Sequence, residues 1–204
     1  MGWYADEVVP RYINAALGSR RFVEMRQRVT NGLEGDIVEI GFGSGLNVPY
    51  YPSAVRSVKA IAPSAVGQKL AHDRVAAAAI PIEYVGLDGA HLPLPDASTD
   101  HVLSTWTLCT IPAVDEALAE VKRVLRPGGS LHFLEHGRAP DEKVARTQDR
   151  LTPINRRLLD GCHLNRPIRV LLDRSGLEVT TIDTHYMKGP RALSYVYAGV
   201  AEKR

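Results

Sequence analysis

The chain has 204 residues, of which 45% are hydrophobic and 24% charged, with a formal net charge of +2 at pH 7. This length and balance suit one well-buried domain over residues 1–204, and so small a charge argues against nucleic acid as the main partner. Cys109 and Cys162, the only two cysteines, cannot build a disulfide framework. No run approaches the roughly 20 apolar residues of a membrane span, and residues 1–6 lack the charged and apolar regions of a secretory signal. The expectation is a soluble, cytoplasmic protein with no integral membrane segment; the oligomeric state stays open.

Two short helical patterns come first. Tyr12, Ile13, Ala16 and Leu17 share a face after Pro10, and Phe22, Met25 and Val29 repeat that spacing before Asn31-Gly32. Arg11, Arg20, Arg21, Arg26 and Arg28 give this helical cap, residues 1–33, a basic character that reads as a solvated helix surface. Residues 36–40 then form a short buried strand, and Gly41, Gly43 and Gly45 follow at alternate positions. Such a loop turns tightly and admits a ligand against bare main chain. A strand that breaks into it opens a nucleotide-binding α/β fold. The spacing differs from the dinucleotide pattern G-x-G-x-x-G, because Leu46 falls where the third glycine would stand. Glu39, two residues before the first glycine, would repel a pyrophosphate and attract an amine.

A second strand over 57–62 precedes an alanine-rich helix over 64–79, which Pro81 stops. A third strand, 82–87, ends at Asp88-Gly89, and a rigid Leu-Pro-Leu-Pro-Asp loop leads to a fourth strand over 100–105. Val114, Ala117, Leu118, Val121, Val124 and Leu125 mark one stripe of a helix, which Arg126-Pro127-Gly128-Gly129 breaks before a fifth strand over 130–135. This alternation implies a parallel sheet with right-handed crossovers. Residues 177–187 and 192–201 are separated by four residues only, so these last strands must pair antiparallel. The expected fold is α/β, a doubly wound, Rossmann-like, mostly parallel seven-stranded sheet with a C-terminal antiparallel hairpin. Its core spans 34–204, and a lid segment at about 138–166 joins the N-terminal cap over the ligand. Ligands of such sheets lie over the strand carboxyl ends. Those ends are here Glu39 to Gly45, Ala62-Pro63, Asp88-Gly89, Thr105-Trp106 and Glu135-His136.

The run Glu-Ile-Gly-Phe-Gly-Ser-Gly at 39–45 resembles the first motif of class I S-adenosylmethionine-dependent methyltransferases, and the antiparallel finish is that family's variant of the fold. The resemblance implies S-adenosylmethionine as cofactor. Glu39 would meet its amino group, with Gly41, Gly43, Gly45, Asn47 and Thr105 around it. Residues 87–100 resemble a run of the quinone-biosynthesis methyltransferases, which implies that Asp88 accepts the adenine amine and the Gly89 amide meets the ring. Ala62 stands where the family carries the acid that binds the ribose hydroxyls. Either affinity is lower, or Ser64 or a water replaces the acid, or tight cofactor binding has been lost and the chain is a non-catalytic binding protein. An NAD-dependent oxidoreductase is a weaker third class, given the glycine spacing.

The runs at 107–109, 124–129, 133–136 and 160–164 resemble the thiol methyltransferases of the methyltransferase-like family, whose mammalian members carry a hydrophobic N-terminal anchor not seen in this sequence. The implied reaction is methyl transfer to a small or lipid-like nucleophile, a thiol first, with a quinone-precursor carbon or a phospholipid amine as rival. Direct displacement needs donor and acceptor aligned at about 3–3.5 Å in a dry site. A thiol of pKa near about 8.5 is only slightly ionised at neutral pH, so a base helps. His136 is the candidate base, its alternative being a packed histidine bonded to backbone. Tyr4, Trp106, Cys162 and His163 are the candidate substrate contacts, and no metal site is expected.

Overall fold

The computed structural model describes residues 4–159 and 161–204. Asp160, in the expected lid, lies outside them. The β-branched runs form seven strands: β1 Gly35–Ile40, β2 Val55–Ile61, β3 Ile82–Gly86, β4 Thr99–Thr105, β5 Leu125–His136, β6 Glu178–Tyr186 and β7 Tyr195–Glu202. They pair in the order β3-β2-β1-β4-β5-β7-β6. Only β7 runs against its neighbours, pairing antiparallel with both β5 and β6. The strand order reverses between β1 and β4, which is where the ligand crevice of a doubly wound sheet falls.

The helices are α1 Val9–Leu17, α2 Val23–Thr30, α3 Ala65–Ala76, α4 Val114–Val124, α5 Glu142–Leu158 and α6 Ile168–Arg174. They cover both faces of the sheet. The α4 stripe packs as expected, with Val114, Ala117, Leu118, Val121 and Val124 buried against Val38, Val102, Leu131 and Phe133. Val29 and Leu33 join Ile37, Val58, Leu103 and Leu134 on the other side. No helix among the described residues is long and apolar enough to cross a membrane.

The last strand starts at Tyr195, after a short turn over Arg191–Leu193, and two further differences bear on the site. Strand β5 starts at Leu125, ahead of the Pro-Gly-Gly expected to break the chain. Leu125 pairs with Thr99, and Lys203 clamps the glycines from the other side: its carbonyl accepts from Gly128 and its N–H donates to Gly129, both at 2.8 Å. The expected lid segment holds α5, a helix the apolar periodicity does not announce. Its buried residues are Ala145, Gln148, Thr152 and Asn155, whereas Leu151, Ile154 and Leu158 are exposed. The inward stripe is mostly polar because it bonds irregular backbone.

Gln148, with no exposed surface, accepts from the Ala139 N–H at 2.9 Å and donates to the carbonyls of Gly137 at 3.0 Å and Ala192 at 3.3 Å. Asn155 donates to the Cys162 carbonyl at 2.8 Å. Gln148→Leu would leave those backbone groups buried without partners, at about 1–3 kcal/mol each. Urea denaturation should show a loss of at least about 2 kcal/mol. A midpoint within error of the native value would mean that water replaces the side chain.

Candidate active site

The site grows from the end of β1. Gly41 (φ 74°) lies so close to Thr107 that a Cβ there would come within 2.0 Å of the Thr107 hydroxyl. A Cβ at Gly43 (φ 53°) would have only the Gly41 carbonyl near it, at 3.7 Å, so that side of the residue is open, while its own carbonyl packs against Gly67. The Ile61 carbonyl accepts from Gly41 and Phe42, and the Arg74 guanidinium donates to the Ser44 carbonyl at 2.9 Å, which fixes the loop.

Beneath the loop Glu39 is 1% exposed. Asn47 donates to one of its oxygens at 2.9 Å and to the Thr105 hydroxyl at 3.0 Å, and the Tyr51 hydroxyl donates to the other oxygen. Asn47 in turn accepts from Arg26 at 2.6 Å. Burial pushes Glu39 up to about 7, opposed by Tyr51, Asn47 and the charge of Arg26.

Arg26 corrects the reading of the cap as a wholly solvated basic surface. It is 4% exposed, and its guanidinium sits 5.0 Å from the Trp106 ring centroid. Burial draws it down to about 10. A signal was present: Arg26 lies four residues after Phe22 and three before Val29, on the apolar face of its own helix. Tyr51 carries no comparable signal.

Trp106, at the end of β4, takes a left-handed backbone (φ 52°), donates its N–H to the Leu134 carbonyl at 2.7 Å and meets Phe22 edge-on. At the end of β5, Glu135 is fully buried and accepts from the Ser104 hydroxyl at 2.7 Å and the amides of Thr107 and Cys109 at 3.2 and 3.3 Å. Burial pushes it up to about 7 against these donors.

His136, 5% exposed, is not bonded to backbone among the described residues. Its Nδ1 lies 4.0 Å from the Cys162 sulfur, and its Nε2 is buried without a partner. The loop after α5 therefore does bring Cys162 to the strand end. The His163 ring instead accepts from Arg166 at 3.0 Å, and its backbone N–H donates to the Cys109 carbonyl at 2.9 Å. Burial and Arg166 lower the His163 pKa. Arg166, which the sequence did not single out, also donates to the Ile111 carbonyl at 2.8 Å.

The remaining predicted residues lie apart from this buried cluster. The Asp88 side chain is 61% exposed and caps a turn, accepting from the Ala90 N–H at 2.8 Å and lying 3.1 Å from the His91 ring. Gly89 packs on the end of β1, where a Cβ would come within 2.7 Å of Ile40. Ala62 is wholly buried, and the Ser64 hydroxyl is already engaged as the α3 N-cap, accepting from Gly67 at 3.0 Å. Tyr4, in the turn before α1, is 47% exposed. Among the described residues no three His, Cys, Asp or Glu side chains cluster to hold a metal.

A sheet reversing at β1 and β4, with a left-handed glycine loop over a buried carboxylate, defines a Rossmann-like fold of the methyltransferase class. A methyltransferase-domain profile matches residues 38–133. The rat (Rattus norvegicus) thiol S-methyltransferase TMT1B is 34% identical over 146 residues, covering 65% of this chain and 56% of that protein. The mouse (Mus musculus) TMT1B is 31% identical over 179 residues, covering 76% and 69%. An S-adenosylmethionine-dependent methyltransferase structure from Thermotoga maritima shares the fold at a TM-score of 0.68 and 20% identity, covering 98% of this chain and all of that one. The chain belongs to the S-adenosylmethionine-dependent methyltransferase family. It spans little more than half the length of the rat relative.

Glu39 yields a pH prediction. Its folded pKa, about 7, exceeds its ordinary value of 4.5, so between these the folded state holds a proton that the unfolded state has lost. Stability from this group is full below 4.5 and falls as pH rises to about 7. The stability of the native protein minus that of Glu39→Gln should fall across this window by up to about 1.4 kcal/mol per pH unit, then level off. A difference that rises with pH would show that Tyr51, Asn47 and Arg26 keep the carboxylate ionised.

Proposed function

We propose that this chain transfers a methyl group from S-adenosylmethionine to a small or lipid-like nucleophile, a thiol before others, in the cytoplasm. The observation that carries the reading is the His136 ring: buried at the β5 end, with Nε2 unpartnered and Nδ1 toward a thiol. An unpartnered imidazole nitrogen in a dry site suits an acceptor that must lose a proton. The thiol S-methyltransferase relatives support the same acceptor class.

The residues fit the cofactor unevenly. The open side of Gly43, with Gly41 and Gly45, suits its methionine end. Glu39 has one protein donor on each oxygen, which leaves acceptor capacity for an amine, and Asn47 and Thr105 hold it in place. Asp88 and Gly89 would meet the adenine. At the position after β2 the chain has the wholly buried Ala62 in place of an acid. When bound, the sulfonium supplies an electrophilic methyl. The chain's part is to align the acceptor, exclude water with Arg26 and Trp106, and hold the departing proton on His136. Tyr4, Cys162 and His163 would line the acceptor wall. The cap over 1–33 and the segment near 138–166 would form a lid on the core 34–204.

The test is a mass-spectrometric scan of small thiols, quinone precursors and phosphatidylethanolamine vesicles with labelled S-adenosylmethionine. Thiols should take the label, and His136→Gln should slow them about 10²–10⁴-fold near neutral pH, less above the thiol pKa. Label on a ring carbon or a lipid amine alone would move the chain to that acceptor class. No label on any acceptor, with the cofactor bound, would favour a binding protein.

Ala62 gives a second test. A carboxylate placed at this fully buried position loses hydration without an assured partner. Ala62→Asp is therefore expected to unfold at lower urea and to bind S-adenosylmethionine no more tightly. Tenfold tighter binding at unchanged stability would show that the ribose contact can be restored.

A further inference from the structure

We propose that Cys109 and Cys162 form a thiol–disulfide couple, in which Cys162 attacks a low-molecular-weight disulfide and Cys109 resolves the mixed disulfide. The chain's two cysteines stand 53 residues apart in sequence, yet their sulfurs meet at 3.8 Å. Both are free thiols. The backbones that carry them are tied directly: the N–H of His163, the residue after Cys162, donates to the Cys109 carbonyl at 2.9 Å. Glu135 holds the Cys109 amide at 3.3 Å, and Asn155 holds the Cys162 carbonyl at 2.8 Å. A disulfide needs about 2.05 Å between sulfurs, and rotation about the Cα–Cβ bonds is the simplest way to close the gap.

The two thiols are unequal. Cys109 is 1% exposed, whereas Cys162 is only half-buried. The contact with Cys109, with His136 beside it, draws the Cys162 thiol below its ordinary range. The same contact, burial and the charge of Glu135 push Cys109 up. The thiolate that attacks is thus the less buried one, and the shielded thiol can act only on its neighbour.

The exchange balances. The Cys162 thiolate attacks one sulfur of RS–SR; that S–S bond breaks and RS⁻ leaves with the electron pair, taking a proton from water. Cys109 then loses its proton to solvent and attacks the Cys162 sulfur, which releases the second RS⁻. One external disulfide becomes two thiols while the protein dithiol becomes a disulfide. In a reducing compartment such a couple is transient. Oxidation would also take the Cys162 thiol away from His136. The couple rests on the cysteine geometry rather than on the methyl acceptor, and its test reads sulfur, not methyl transfer.

Full-length native protein, Cys109→Ser and Cys162→Ser would be equilibrated with glutathione disulfide, then analysed by intact mass and peptide mapping. The native chain should lose both free thiols and the mass of two hydrogens, with one cross-linked peptide pair and no lasting adduct, and dithiothreitol should reverse this. Cys109→Ser should trap one glutathione on Cys162, and Cys162→Ser should stay unmodified at Cys109. A native chain that keeps both thiols, or carries a stable glutathione adduct, overturns the couple. Modification of Cys109 in Cys162→Ser as fast as of Cys162 in Cys109→Ser overturns the assigned roles. Should either serine variant fail to match the native circular dichroism, the native mass and peptide map alone decide.

Discussion

The active end of the sheet depends on how one buried carboxylate is satisfied. Glu39 has almost no contact with water, and a carboxylate so placed must be hydrogen-bonded and balanced by charge or else protonated. Asn47 does most of the joining. Its amide donates to Glu39 and Thr105, and its oxygen accepts from Arg26, so β1, β4 and the cap helix meet on one side chain. Arg26 is therefore not free to move with an exposed basic face. The cap is held where its guanidinium compensates Glu39, and its Gly18 end comes to rest beside Leu46 of the glycine loop.

A second polar system positions the irregular part of the site. The segment after β5 and the loop after α5 have no strand to pair with, yet their backbone groups must be satisfied once buried. Gln148 and Asn155 of α5 do this from an inward-facing helix stripe, and Arg166 does it for the turn after β4. Leucines at these positions would bury more apolar surface but would leave the loops with nothing to fix their course. Through these bonds Cys162 comes within reach of both His136 and Cys109.

What was legible in the sequence was whatever apolar periodicity and backbone chemistry decide. The strand–helix alternation, the α4 stripe, the closing hairpin and the glycine loop all belong to that class. Helix α5 was not legible, because its buried stripe is polar and its leucines face out. Arg26 was misread because a charge on an apolar helix face counts as solvated until its partner is known, and Asn47 follows 21 residues later. The early start of β5 depends on Lys203, at the far end of the chain. Asp88 follows β3 as its place in the sequence implied, whereas its local bonds with Ala90 and His91 depend on a turn geometry that residue type does not announce.

The asymmetry of the site bears on how it would catalyse. On the proposed reading, polar groups are dense at the methionine end, whereas the ribose end lacks an acid at the buried Ala62. A ribose contact is made equally in the ground state and in the transition state, so its absence weakens binding and leaves the barrier from the bound complex unchanged. Contacts around the reacting atoms are different, because charge moves there as the methyl transfers and the acceptor loses its proton. Three of the buried ionisable groups, Glu39, Glu135 and His136, stand at the ends of β1 and β5, beside that region. Such a site trades cofactor affinity for nothing in the chemical step. The strand-two departure is therefore compatible with full turnover wherever the cofactor is abundant.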